Sequence, residues 1–189
     1  MADAWRPRSW LLLIYRVPQD PPGRRTYVWR QLRQLGAVYL QQAAAVLPER
    51  PELRTALDAL SQRIREYGGE VSFLTTASPD QGWEDELLER FNQARDAEYA
   101  EIVENVERFE DEIRRERTKG RFTFAQLDDI EADWEKLQRW YERIGARDFF
   151  GAPGRAVADA ALARGQAELE AFTTEVSAHE GVEADRADR

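Results

Sequence analysis

Hydrophobic positions along this chain change period twice, and the changes divide it. Trp10-Leu-Leu-Leu-Ile-Tyr-Arg-Val17 is a nearly continuous apolar stretch of strand length that ends at Pro18, the pattern of a central strand buried on both faces. The following Pro18-Gln-Asp-Pro-Pro-Gly23 is loop chemistry. Arg24 to Leu35 then predicts a helix: Val28, Leu32 and Leu35 recur on one side, Gly36 is placed to close it, and Thr26, Arg30 and Arg33 fall on the opposite side. Ala37 to Pro48 holds two short apolar pieces around Gln41-Gln42-Ala43, consistent with a hairpin whose turn signal is poor. From Pro51, the positions Leu53, Leu57, Leu60, Ile64 and Tyr67 alternate steps of four and three before Gly68-Gly69, predicting an amphipathic helix. Glu70-Val-Ser-Phe-Leu-Thr-Thr76 follows as a strand. The order βαββαβ predicts a four-stranded antiparallel sheet with both helices on one face, the ferredoxin-like arrangement.

The remainder is helical in pattern. Trp83 to Lys119 contains no Pro or Gly, opens on Glu84-Asp85-Glu86 and closes on Arg114, Arg115, Arg117 and Lys119, the charge order a helix dipole favours. Tyr99, Ile102, Val106, Phe109 and Ile113 give it a seam. Thr123 and Gln126 form a capping-box pattern for a second helix, whose seam is Leu127, Ile130, Trp134, Leu137, Tyr141 and Ile144. The two are expected to pack as an antiparallel hairpin. After a linker, Phe149-Phe150-Gly-Ala-Pro-Gly154, a third helix is expected from Val157, Ala161, Gly165, Leu169, Phe172 and Val176. The fold class is therefore α+β, with a ferredoxin-like domain over 8–78, an α-helical region over 83–176 and a polar flexible tail over 177–189.

Composition narrows the chemistry. The chain has 189 residues and no Cys, which excludes disulfides, thiolate metal sites and Cys nucleophiles, and its one His, His179, leaves little material for imidazole catalysis. The net charge of −9 speaks against a polyanionic partner only on average. Residues 1–50 carry eight Arg against three acids, whereas residues 51–189 carry nineteen basic groups against thirty-three acidic. The longest N-terminal apolar run is too short to span a bilayer and is not preceded by a leader pattern, so a cytoplasmic protein without membrane association is expected.

Each candidate site also has a plain structural reading. The acids Glu84, Asp85, Glu86, Glu98, Glu101, Glu104, Glu107, Asp111 and Glu112 are expected on a solvated helix face, as are Asp128, Glu131 and Glu135. No metal site and no cofactor is expected, since neither a phosphate-binding glycine loop nor a carboxylate–histidine motif is present. Core packing is the first expectation for the aromatics. If Tyr27 or Trp29 stands exposed beside Arg25, Arg30 and Arg33, however, the helix could hold phosphates and stack on bases. A cluster of Arg16, Arg24 and Arg25 could hold an oxyanion.

Trp10-Leu-Leu-Leu-Ile-Tyr-Arg-Val-Pro18, Arg24 through Gln42, and Val46-Leu-Pro48 resemble the N-terminal domain of the ChrB chromate-resistance proteins, with weaker similarity through Gly69–Leu74, Glu98–Glu101 and Phe109. A wider similarity is to the ferredoxin-like middle domain of PaaX-type repressors. The resemblance implies a bacterial regulator that binds DNA near chromate-transporter genes and is released by chromate, with basic residues contacting DNA. Arg24, Arg25, Arg30 and Arg33 are the expected DNA contacts. Long-form ChrB proteins carry a C-terminal domain linked to chromate response, and the expectation for this sequence is a short form without it.

Two functions follow as expectations. One is a non-enzymatic, homo-oligomeric regulator of a chromate-resistance operon, with DNA and chromate as partners. The alternative is an oligomerisation or adaptor protein that uses the helical hairpin. A nuclease using Asp20, which falls in the proline-rich loop beyond the Val17-Pro18 end of the first strand, is the remaining enzymatic reading.

Overall fold

A computed structural model describes residue 6 and residues 8–20, 22–120 and 122–187. The chain runs β1 (Ser9–Arg16), α1 (Arg24–Gln34), β2 (Val38–Gln41), β3 (Ala44–Pro48), α2 (Pro51–Glu66), β4 (Glu70–Ala77), α3 (Gln81–Lys119), α4 (Phe124–Gly145) and α5 (Gly154–Ala187). The strands form one antiparallel sheet in the order β2-β3-β1-β4, the ferredoxin-like order, with β1 central as its apolar run predicts.

Alternation along β1 sends its side chains to two different environments. Leu11, Leu13 and, just beyond the strand, Val17 pack with Val28 and Leu32 of α1 and Leu53, Leu57, Leu60 and Ile64 of α2. Trp10 points to the other face, where it meets Val46, Leu87 and Phe91. Further along that face Ile14 is 43% exposed, so burial on both faces holds only for the first half of the strand. The reason is the extent of the cover: the first turns of α3 and the Phe149-Phe150 pair pack around Trp10.

The hairpin closes over Gln42-Ala43, with Tyr39 opposite Ala45 and Gln41 opposite Ala44, which leaves Leu40 as the extra residue of a bulge. After α2, Gly68 takes a left-handed φ of 74° and the Gly69 N–H donates to the Ile64 carbonyl at 2.9 Å. A Cβ on Gly69 would lie 2.5 Å from the Arg16 carbonyl oxygen. Only glycine lets the helix end that close to β1.

Two compact units divide the fold. One comprises the described residues up to Ala94 with Arg147–Phe150, and the other Arg95–Ala146 with Gly151 onward. The division falls inside α3, and Phe149 and Phe150, read from sequence as linker, pack against Phe91 in the first unit.

In the second unit Tyr99 lies 5.8 Å from Tyr141 and Phe109 lies 4.8 Å from Trp134, ring centroid to centroid, so α3 and α4 are antiparallel. The predicted seams are buried except for the half-buried Tyr141, and Phe172 and Val176 of α5 join them. Val157, expected on the α5 seam, is exposed instead. Ala158 takes its place, three residues before Ala161, and brings the backbone close with a small side chain. The helix also continues past Ser177, through the stretch read as a tail, to Ala187. No helix among the described residues is long and apolar enough to cross a membrane.

Candidate nucleic-acid and oxyanion site

Burial of Val28 and Leu32 fixes which side of α1 remains in solvent. Arg25, Trp29 and Arg33, four residues apart, line up along that side over about 12 Å at the helical rise, with Arg30 beside them. Trp29 is 43% exposed, and the Arg33 guanidinium carbon sits 5.4 Å from its ring centroid. Arg25 and Arg30 have no carboxylate partner among the described residues. The Arg33 carbonyl accepts a 3.2 Å hydrogen bond from Arg147 Nη1, which holds the last turn. Tyr27 is also exposed and meets the ring of Tyr67 edge-on at 6.1 Å.

Arg24 is differently placed. Its Nη1 donates to the Tyr67 carbonyl at 3.0 Å and its guanidinium lies 5.0 Å from the Tyr67 ring centroid, so it ties the start of α1 to the end of α2. Arg16 forms an exposed 2.5 Å ion pair with Glu70.

Arg16 and Arg25 come together on one open cavity of about 1130 Å³, which Trp29 also lines. Arg24, the third member of the expected oxyanion cluster, does not line it. The first turn of α1 opens onto this cavity at Gly23 and Thr26. Gly23 has a left-handed φ of 101°, no side chain caps the helix, and its first turn holds no acid. The first-turn N–H groups, the positive end of the helix dipole and the Arg25 guanidinium, with Arg16 beside it in its pair with Glu70, favour an anion there. Tyr15 lies on the cavity wall, its hydroxyl 3.0 Å from that of Tyr39. Burial, and then the bond to Tyr15, push the Tyr39 phenol well above the ordinary tyrosine range.

Two acids expected on the solvated face of α3 are buried instead. Glu84 accepts from the Arg8 N–H at 2.9 Å and from Arg8 Nε at 3.2 Å, and it is bonded to the Ser78 hydroxyl. Glu98 is buried in an ion pair with Arg95 at 3.3 Å. The donors to Glu84 come from outside α3, which periodicity does not reveal, whereas Glu98 pairs with Arg95 one turn earlier on its own helix. The remaining α3 acids named above are exposed. The basic run at the end of α3 is largely paired: Arg114 with Asp111, Lys119 with Glu116, and Arg117 with Glu168 at 2.6 Å and Glu175 at 2.9 Å. Those two carboxylates raise the Arg117 pKa, the bond to Glu175 foremost. Arg25 and Arg30 on α1, by contrast, have no carboxylate partner among the described residues.

Residues 25–182 match the family described as Protein ChrB, N-terminal. The chain belongs to that family. Among curated proteins, Protein ChrB of Cupriavidus metallidurans is 34% identical to this ChrB N-terminal chain over 93 residues, 49% of the chain and 28% of that protein's length. No solved structure matches. The family match begins at Arg25 and so includes Trp29, Arg30 and Arg33 of the α1 face.

Proposed function

We propose that this ChrB-family chain is a DNA-binding regulator of chromate resistance, with α1 lying against the phosphate backbone. The reading is carried by the exposed row Arg25–Trp29–Arg33 with Arg30 beside it, on a chain that is otherwise strongly acidic. The guanidinium groups of Arg25, Arg30 and Arg33, without a carboxylate partner among the described residues, attract phosphates, and the Trp29 ring supplies apolar contact with sugar or base. Phosphate contacts hold the helix in place but carry no sequence information themselves. The cavity beside Arg16 and Arg25 is the effector site in this reading: chromate, a tetrahedral dianion, is held there by guanidinium and backbone N–H groups. It shares Arg25 with the DNA face, so an occupied cavity competes with DNA for the same cation.

Fluorescence anisotropy with DNA from upstream of its own gene, at several salt concentrations with and without chromate, tests this reading. The expected log–log salt slope is about −2.7 for three phosphate contacts, at about 0.9 each, and chromate is expected to weaken binding. Absence of salt-sensitive binding at low ionic strength would overturn it.

A further inference from the structure

We propose that β4 is a self-pairing edge, to which a second copy of this chain adds its own β4, antiparallel, about a two-fold axis at Leu74. The sheet ends in β2 on one side and β4 on the other. The β2 edge is four residues long and interrupted by the Leu40 bulge, two features that blunt an edge. β4 has neither. Its eight residues stay in register with β1 from Arg16–Glu70 to Ser9–Ala77 and include no Pro, Lys or Arg.

Which backbone groups are free follows from one bond. The Ser78 N–H donates to the Arg8 carbonyl at 3.0 Å, so Arg8 and Ser78 continue the ladder as a hydrogen-bonded pair. Antiparallel pairs alternate, which means that Ser72, Leu74 and Thr76 bond inward to β1. Val71, Phe73, Thr75 and Ala77 turn their N–H and C=O groups outward. Among the described residues no strand pairs with that outer row.

The occupant is argued from self-complementarity. A two-fold axis normal to the sheet keeps each face continuous, so residues of like parity must oppose one another. Centred on Leu74, the pairing sets Phe73 against the partner's Thr75 and Val71 against the partner's Ala77, so all four outward residues find ladder partners, about eight bonds in total. Centred on Phe73, it would set Ala77 opposite Gly69, outside the strand. The Leu74 register also sets the two Leu74 side chains directly against each other on the open face of the sheet. Leu74 is 48% exposed there, and Ile14, 43% exposed, lies diagonally beside it on β1. Ser72 meets the partner's Thr76. Glu70, the only charged residue in the strand, falls opposite the partner's Ser78, next to that copy's Arg8, and no like charges oppose each other.

Single-cysteine variants of the full chain test the register without interference, because the sequence contains no Cys. Opposed residues of a non-hydrogen-bonded pair have Cα atoms about 4.5 Å apart, within disulfide range. Under mild oxidation Leu74→Cys is expected to give a covalent dimer. Ser72→Cys lies four residues out of register with its counterpart, roughly 13 Å away at about 3.3 Å per residue, and is expected to stay uncrosslinked. A mixture of the Ser72→Cys and Thr76→Cys chains is expected to give the mixed disulfide. Thr75→Pro removes an outward N–H that the isolated sheet does not use, so it is expected to abolish self-association in sedimentation while leaving the far-UV spectrum unchanged. Equal crosslinking of Leu74→Cys and Ser72→Cys, a monomeric wild type at high micromolar concentration, or a Thr75→Pro chain that sediments as a dimer would each overturn the proposal.

Discussion

Trp10 Nε1 donates to the Ser78 hydroxyl at 2.8 Å, and both side chains are buried. The same hydroxyl meets Glu84, whose carboxylate takes the Arg8 N–H, so one short network joins the start of β1, the end of β4 and the first turn of α3. Ser78→Ala removes the acceptor and strands the indole N–H in the apolar cluster with Phe91 and Leu87. The expected cost is about 1–3 kcal/mol, the penalty for a buried donor left unmet. It should appear in urea titration as a lower midpoint with an unchanged slope. An unshifted midpoint would mean that the network contributes nothing to stability.

Gly165 offers a substitution in which helix propensity and packing oppose each other. Alanine is favoured over glycine within a helix by about 1 kcal/mol. A Cβ at Gly165, however, would lie 2.6 Å from the Trp134 ring and 3.1 Å from Val106 Cγ1. The ring is buried and its Nε1 donates to Gln166 Oε1 at 2.8 Å, so it has no room to swing aside. Overpacking of this kind costs about 1–3 kcal/mol. Gly165→Ala is therefore expected to lower Tm, and a higher Tm would show that the helices separate freely.

The elements whose side chains report their own periodicity were legible in the sequence. Val28 and Leu32, the Leu53–Ile64 series and the Leu127–Ile144 seam each face a single layer, so spacing alone locates the buried side. Arg25, Arg30 and Arg33 were legible as an exposed basic face for the same reason. Contacts between distant segments were not. Phe149 and Phe150 sit in a loop without period, yet they complete the cluster around Trp10, because their burial depends on where α3 begins. Arg24 looked equivalent to its neighbours until the Tyr67 carbonyl, at the far end of α2, supplied it with an acceptor. Glu84 reads as solvated for the converse reason, since Arg8 and Ser78 reach it from outside its helix.

Alkaline stability should depend on Tyr39. Its phenol titrates higher in the folded chain than in the unfolded one, where the ordinary value is about 10. A raised folded pKa contributes stability that is complete below the unfolded value and is lost as pH rises above it. Thermal midpoints of the wild type are therefore expected to hold to pH about 9 and to fall from pH about 10 upward. Tyr39→Phe retains the ring but not the titrating group, so its midpoint should fall less over that range. Identical alkaline profiles for the two chains would assign the loss to other groups.

Arg24 and Arg25 are neighbours in sequence, and their substitutions should fail in opposite assays. Arg24 is half-buried, donates to the Tyr67 carbonyl and stacks over the Tyr67 ring; Arg25 is exposed on the α1 face without a carboxylate partner among the described residues. Arg24→Ala is thus expected to lower stability by about 1–3 kcal/mol, as for a lost charge-assisted hydrogen bond, while the salt slope of DNA binding stays as in the parent chain. Arg25→Ala is expected to leave stability within about 0.5 kcal/mol and to flatten the salt slope by about 0.9, the contribution of one phosphate contact. The two measurements form a cross. If both variants flatten the slope equally, the bond to Tyr67 opens when DNA binds; if neither does, the α1 face is not where phosphates are held.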